Sequence, residues 1–402
     1  MTVTESPPSV FNCHRRWFRV TPDRLVIGLV AVECLLWLSE RFQWFGFNQH
    51  KGYAVLVTVA IAGAVLLGML LAFVVSLLFR RRFQFGISFL LLLAVAVALP
   101  CGWFMEEIGR AKKLKAVVDE VNDGVGICYF DWENVVPEPP VQVWLRKLLG
   151  NCFFGKVDTL VIQPGPFNMA GLRRVKKLSE LRYLEIHRDE WTDSQLEFTG
   201  TLSQLEFLVL DCRNVTDSAL KHLERLEQLE DLSLVGTQVT GAGLMHLKAL
   251  PHLQSLSLRA SGVTDAGLAH FKRLPGVTSL DLGYTATTDV GLRAIEDSTQ
   301  LKSLCLDGTR ITDEGMELLR GLTKLRVLML SETKVTDAGL ARLKTLTQLQ
   351  ELWLDKTNVA DAGLEHLETL TRLQILDLQG TKVTDAGVKK LQKALPKCRM
   401  VR

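Results

Sequence analysis

Four histidines, His222, His246, His270 and His366, stand in one phase of a 24-residue spacing. Stacked imidazoles at such an interval are a first ingredient of a divalent-metal site, but no Asp or Cys completes a four-ligand set. The eight cysteines (Cys13, Cys34, Cys101, Cys128, Cys152, Cys212, Cys305 and Cys398) form no CxxC pair and keep no regular spacing, which argues against zinc and against a disulfide framework. No cofactor or metal is expected. Phosphate-binding glycine loops, nucleophile elbows, a His-Glu-x-x-His helix and kinase signatures are all missing from the sequence, so no catalytic residue is assigned and an enzyme is not expected. Asn214-Val215-Thr216 has the form of a glycosylation sequon but arises from a phrase the chain repeats.

Binding chemistry is a better match to the side chains at the variable places between repeated leucines. These are Tyr183, Glu185 and His187; Phe207, Val209 and Asp211; Asp231; Arg259; Asp281; Asp307; Val327 and Met329; Glu351, Trp353 and Asp355; and Ile375 and Asp377. Ser, Asp, Arg or Gln would be ordinary filler there. Two apolar groups depart from it, one of Tyr183, Phe207 and Val209, the other of Val327, Met329, Trp353 and Ile375. Aromatic and apolar side chains inside a charged rim, here Asp307, Glu351, Asp355 and Asp377, are what protein-binding hot spots look like.

The elements that must position these residues follow from the period. Ile311-Thr312-Asp313-Glu314-Gly315-Met316 returns as Val335-Thr336-Asp337-Ala338-Gly339-Leu340 and again as Val359-Ala360-Asp361-Ala362-Gly363-Leu364. Between them run Leu325-x-x-Leu328-x-Leu330 and Leu349-x-x-Leu352-x-Leu354. The same phase starts at Val157 and passes through Leu181, Leu205, Leu229, Leu253, Val277, Leu301, Leu325, Leu349 and Leu373, about ten coils over residues 155–402. Leu328 and Leu330 alternate as a strand requires, whereas Leu340, Leu343 and Leu346 are three apart and predict a helix. One unit is a strand, a turn and a helix, and it buries its leucines only by stacking on its neighbours. Thr336-Asp337 and its equivalents supply capping oxygens to the helix. The column Thr237, Thr285, Thr309, Thr333, Thr357 and Thr381 is expected to bond the turn of a neighbouring coil. Gly243, Gly267, Gly291, Gly315, Gly339, Gly363 and Gly387 fall in the first helical turn, at a cost in propensity that a close approach between coils would explain.

Upstream the composition changes. Residues 1–115 carry a balance of +7 and the remainder −4, so the net +3 joins two unlike regions. The slightly acidic repeat region argues against nucleic acid as a partner. Residues 1–24 read as a basic cytoplasmic tail. Residues 25–105 read as a membrane anchor of two to three transmembrane helices at 25–45, 53–79 and 83–105, the second running 27 residues without a charge against about 20 needed to span. Glu33 lies in the first, interrupted segment. Arg80-Arg81-Arg82 between the second and third segments favours the cytoplasm. That places the repeats on the extracytoplasmic side of the inner membrane, although Arg110, Lys112, Lys113 and Lys115 weigh against it. Residues 106–154 form a connector, with a helix from Glu106, a strand near Gly126–Trp132 and an end-piece for the array at 140–154.

The unit L-x-x-L-x-L-x-x-T-x-V-T-D-x-G-L resembles the leucine-rich repeat family, in the class with a full helix on the convex side. Pro22-Asp23-Arg24 with Ala31-Val32-Glu33, Phe47-Asn48-Gln49-His50-Lys51-Gly52 and Arg82-Phe83-Gln84-Phe85 are similar to a bacterial group of membrane-anchored leucine-rich repeat proteins. The resemblance implies an α/β fold: a solenoid horseshoe with a parallel concave sheet and convex helices, preceded by transmembrane α-helices. The expected role is a scaffold whose concave face binds a protein or envelope polymer. Two other roles remain: an envelope spacer with no dedicated ligand, and a substrate-recruiting arm like those of ubiquitin-ligase adaptors, for which the sequence shows no adaptor-binding module.

Overall fold

The computed structural model describes residues 57–64, 67, 87–122, 127–130, 147, 149–154, 156–163 and 174–402. The chain divides into two compact units, Met1–Lys115 with Val135–Gly155, and Ala116–Asn134 with Lys156–Arg402.

The first unit is described over a small part of its length. Residues 57–64 are helical, and a long helix, α1 (Ile87–Asn122), begins here with Pro100 inside it. The Phe104 and Phe153 rings meet edge to face at 5.8 Å. Arg110 pairs with Glu107 and donates to the Phe153 carbonyl at 3.3 Å. Residues 25–45 lie outside the described residues, as does most of 53–79. Among the described residues no helix is long and apolar enough to cross a membrane, so the anchor rests on the sequence and is taken up below as a proposal.

The second unit is a 12-stranded sheet whose strands lie in sequence order. They are β1 (Ile127–Phe130), β2 (Val157–Ile162), β3 (Tyr183–His187), β4 (Phe207–Asp211), β5 (Asp231–Ser233), β6 (Ser255–Ser257), β7 (Ser279–Asp281), β8 (Ser303–Cys305), β9 (Val327–Met329), β10 (Glu351–Trp353), β11 (Ile375–Asp377) and β12 (Arg399–Val401). From β2 onward every pair is parallel, and from β3 each residue pairs with the one 24 positions on, as Leu328 does with Leu352. The leucines predicted to be inside are inside: Leu325, Leu328, Leu330, Leu340, Leu343 and Leu346 are all fully buried. Each such side chain contributes about 1.5–3 kcal/mol by leaving water.

Three expectations are corrected. The convex element is not a full helix. After Thr336 come one short α-helical segment, Asp337–Leu340, and a 3₁₀ segment, Ala341–Thr345, and most coils follow suit. The three-residue spacing of Leu340, Leu343 and Leu346 is the period of a 3₁₀ helix, which turns every 3.0 residues, rather than of an α-helix. The strand at the first edge of the sheet is β1, antiparallel to β2 with Cys128 opposite Leu160, and it lies within the 106–154 stretch read as connector and cap. An antiparallel neighbour ends the ladder without offering the next coil a parallel template. At the other edge the period runs one strand further than the leucines do. Met400 in β12 pairs with Leu376, although Lys397 and Arg402 stand where leucine would recur. Finally, each hydroxyl of the threonine column bonds within its own coil: Thr237 donates to Leu234 O at 2.8 Å and Thr333 to Leu330 O at 2.6 Å, each closing a turn.

Candidate protein-binding face

The strand register sorts the variable side chains into columns. Tyr183, Phe207, Asp231, Ser255, Ser279, Ser303, Val327, Glu351 and Ile375 form one column; Glu185, Val209, Ser233, Ser257, Asp281, Cys305, Met329, Trp353 and Asp377 form the next. Leu328, Leu352 and their equivalents point the other way, into the core.

What holds these columns in register is a carboxylate clip on the opposite side of each coil. Asp313 accepts the backbone N–H of Thr336 at 2.8 Å and its hydroxyl at 2.6 Å, reaching 23 residues along the chain. Asp193, Asp217, Asp265, Asp289 and Asp361 do the same for Thr216, Thr240, Thr288, Thr312 and Thr384. The hydrogen bonds of Thr384 hold the Asp361 carboxyl below its ordinary range. The threonines also cap their own helices, Thr336 accepting from Ala338 N at 3.3 Å, as the Thr-Asp pair predicted. The aspartate next to each one serves the following coil instead. Two coils depart from the pattern. Gly241 replaces the aspartate that would serve Thr264, and Ala360 lacks the hydroxyl, leaving Asp337 one bond at 2.8 Å. The clip also explains the glycine column. A Cβ on Gly339 would sit 2.5 Å from Asp313 Oδ1, and one on Gly243 would sit 2.7 Å from Asp217 Oδ1.

At the β3–β5 end of the face the Tyr183 and Phe207 rings lie 6.1 Å apart at 30°, and Phe207 is 38% exposed. Val209 beside them is half-buried. Tyr183 donates to Glu185 Oε2 at 3.1 Å. The His187 imidazole bridges two strands, Nε2 lying 2.5 Å from Glu185 Oε1 and Nδ1 3.3 Å from Asp211 Oδ2. Burial pulls the His187 pKa down, but the hydrogen bonds and charges of both carboxylates outweigh it and hold the pKa above the ordinary value. Burial raises the Asp231 pKa, against a hydrogen bond from Ser255.

The middle of the face carries Arg259. Its guanidinium lies 4.6 Å from the centre of the Tyr284 ring, with Nη1 3.9 Å from Asp281 Oδ1 and 3.7 Å from Asp307 Oδ2. Asp307 also accepts from Ser331 N at 2.9 Å. Tyr284, 46% exposed, was missed in the sequence. It occupies a left-handed position (φ 55°) shared at 24-residue intervals by Gly236, Ala260, Gly308, Glu332, Lys356 and Gly380. A tyrosine in a column with three glycines was the available signal.

At the β9–β11 end, Val327, Met329, Glu351, Trp353 and Ile375 are half-buried and adjoin one another across the strands, as the sequence grouped them. Asp355 accepts from the Ser331 hydroxyl. Asp377, unlike the others, is buried, and its Oδ1 accepts from Gln379 N at 2.9 Å, closing a turn. Burial pushes the thiols of Cys212 and Cys398 up to about 11 and Cys305 higher still. None is a thiolate nucleophile at neutral pH. His246 meets Glu224 at 2.6 Å on the convex side. Among the described residues no group of three or more His, Cys, Asp or Glu is placed to hold a metal.

Residues 251–311 match a leucine rich repeat family model, and residues 369–391 match a second leucine rich repeat model. The repeat region of this chain is built of leucine-rich repeats. Its fold is similar to that of an internalin (inlF) from Listeria monocytogenes, with 18% identity, 67% of this chain and 96% of that chain covered, and a TM-score of 0.47. An internalin C2 (inlC2) of the same organism is 25% identical over 52% of this chain and 84% of its own, with a TM-score of 0.39. A TDR receptor structure is 14% identical over 60% of this chain and 41% of its own, with a TM-score of 0.38. No curated protein matches the chain.

Proposed function

We propose that the chain is a membrane-anchored interaction scaffold whose strand face binds a protein or envelope polymer outside the inner membrane. The observation that carries the binding half is the contrast within the two strand columns: Ser233, Ser255, Ser257, Ser279 and Ser303 occupy their middle, while the aromatic and apolar side chains of those columns gather at both ends, with Phe207 38% exposed. Exposed aromatics cost solvation unless a partner covers them. The anchoring half rests on the charge-free run of residues 53–79 and the Arg80-Arg81-Arg82 cluster.

A photo-cross-linking residue placed at 207 or 353 in living cells tests the first half. Adducts are expected from both positions and none from position 365 on the convex side; equal yields from all three, or none, overturn the reading. Protease added to intact spheroplasts tests the second. A tag after Arg402 is removed if the repeats face outward and survives until lysis if they do not.

A further inference from the structure

The strand face contains one worked example of cation recognition. Around Arg259, neighbouring coils supply an aromatic ring (Tyr284, 4.6 Å) and two carboxylates (Asp281 at 3.9 Å and Asp307 at 3.7 Å). A guanidinium suits that company because its plane stacks on a ring face while its N–H groups reach the flanking carboxylates.

The β3–β5 end presents the same types of partner. Tyr183 and Phe207 supply the rings, 6.1 Å apart. Glu185, Asp211 and Asp231 come from three successive strands. Among the described residues, none of these three carboxylates is paired with a Lys or Arg; the one cation they meet is the His187 imidazole, between Glu185 and Asp211. Arg182, one residue before Tyr183, is turned to Glu206 at 3.4 Å. Asp231 is half-buried, an environment in which a carboxylate is stabilised by a positive neighbour.

We propose that the β3–β5 face receives Lys or Arg side chains of a protein partner, one charge beside Asp231 with its stem or guanidinium plane lying on the Tyr183 and Phe207 rings, and a second beside Glu185 and Asp211 further along the strands. Charge complementarity chooses this occupant: an anionic polymer would meet three carboxylates and one shared imidazole. The inference rests on the reading of the strand face as a protein-binding surface and adds the chemistry of the partner.

The test uses the full chain in detergent micelles and two 12-residue fluorescent Gly-Ser peptides, one carrying three Arg and the other three Gln at the same places. Fluorescence anisotropy is expected to show the Arg peptide binding about tenfold tighter, a difference of about 1.4 kcal/mol. Asp211→Asn with Asp231→Asn is expected to remove that preference, Phe207→Leu to reduce it at nearly unchanged volume, and Glu314→Gln with Glu365→Gln, exposed and away from the strand face, to leave it intact. A thermal melt of each variant confirms folding. Equal binding of the two peptides overturns the proposal, and so does a preference lost in the Glu314/Glu365 variant but kept in the Asp211/Asp231 variant. If the Gln peptide binds equally well and Trp353→Ala removes its binding, the proposal fails while the wider reading stands. If no strand-face variant alters either peptide, both fail.

Discussion

The two sides of each coil keep different accounts of the period. On the clip side five coils spell Thr-Asp-x-Gly in full, from Thr264, Thr288, Thr312, Thr336 and Thr384, and the others depart from it by one or two letters, because most members touch a counterpart 23 to 26 residues away: aspartate to the next threonine, glycine beneath the previous aspartate. On the strand face the same period holds only the backbone. Phe207, Asp231, Ser255 and Val327 occupy one column without sharing a chemistry. Sameness in the sequence therefore marks where coils bond to each other, and departure from sameness marks where the molecule is free to bond to something else.

The comparison breaks first, and hardest, in the core that both sides share. Leu352→Ala removes a fully buried side chain and is expected to cost about 2–5 kcal/mol, read from denaturant unfolding. A smaller value would mean that the coils slide to fill the gap.

The clip side comes next. A Cβ on Gly315 would run into Asp289 Oδ1, so Gly315→Ala is expected to destabilise by about 1–3 kcal/mol. Asp289→Ala, which leaves the Thr312 N–H and hydroxyl without their carboxylate, is expected to cost about 1–3 kcal/mol. The double variant sharpens the point: with the carboxylate gone the added methyl has room, and the two costs are expected to sum to more than the measured whole. Strict additivity would show that the glycine column has another cause.

The strand face is expected to lose less stability and more function. Phe207→Ala uncovers little core, so its folding cost is expected to be near 1 kcal/mol, while cross-linking from a residue placed at 209, beside it on the same strand, falls away. If stability drops as far as for Leu352→Ala, the ring belongs to the core and not to a binding face.

The smallest expected effect is on pH. The His187 pKa is raised by Glu185 and Asp211 against the opposing pull of burial. Its contribution is fully present below the unfolded value of about 6.5 and is lost as pH rises through the folded value. The melting-temperature gap between the native chain and His187→Gln is therefore expected to be larger at acid pH than at alkaline pH. The reverse order would mean that burial, not the carboxylates, governs the imidazole.

The array was readable in the sequence because its bonds recur. Ten strands, the buried leucines and the need for a tight approach at the glycines all follow from the 24-residue spacing. The partner of each bond was not readable. Thr333 looked able to reach a neighbouring turn and closes its own instead; Asp313 looked like a cap for its own helix and serves the next coil. Both choices depend on a rotamer, which the spacing of residues does not encode. The last strand escaped for the opposite reason: β12 keeps the backbone period while Lys397 and Arg402 drop the leucines that advertise it. On the strand face the two apolar ends were legible as departures from serine. Tyr284 was not, because its exposure comes from a left-handed backbone beside Gly308 rather than from its place in a strand.

The clip has a consequence for how this chain can change length over generations. Excising 313–336 would leave Thr312 followed directly by Asp337. Asp289 would keep its grip on Thr312, and Asp337 would take the seat Asp313 had left, already shaped for Ala360. Removing one residue from between Asp313 and Thr336 would bring Asp313 to within 22 positions of Thr336 instead of 23, and that coil would lose both its clip and its stacking register. Such a chain is edited in whole words: losing a coil is a milder event than losing a letter, and gene duplication can lengthen the strand face without a single new contact having to be invented.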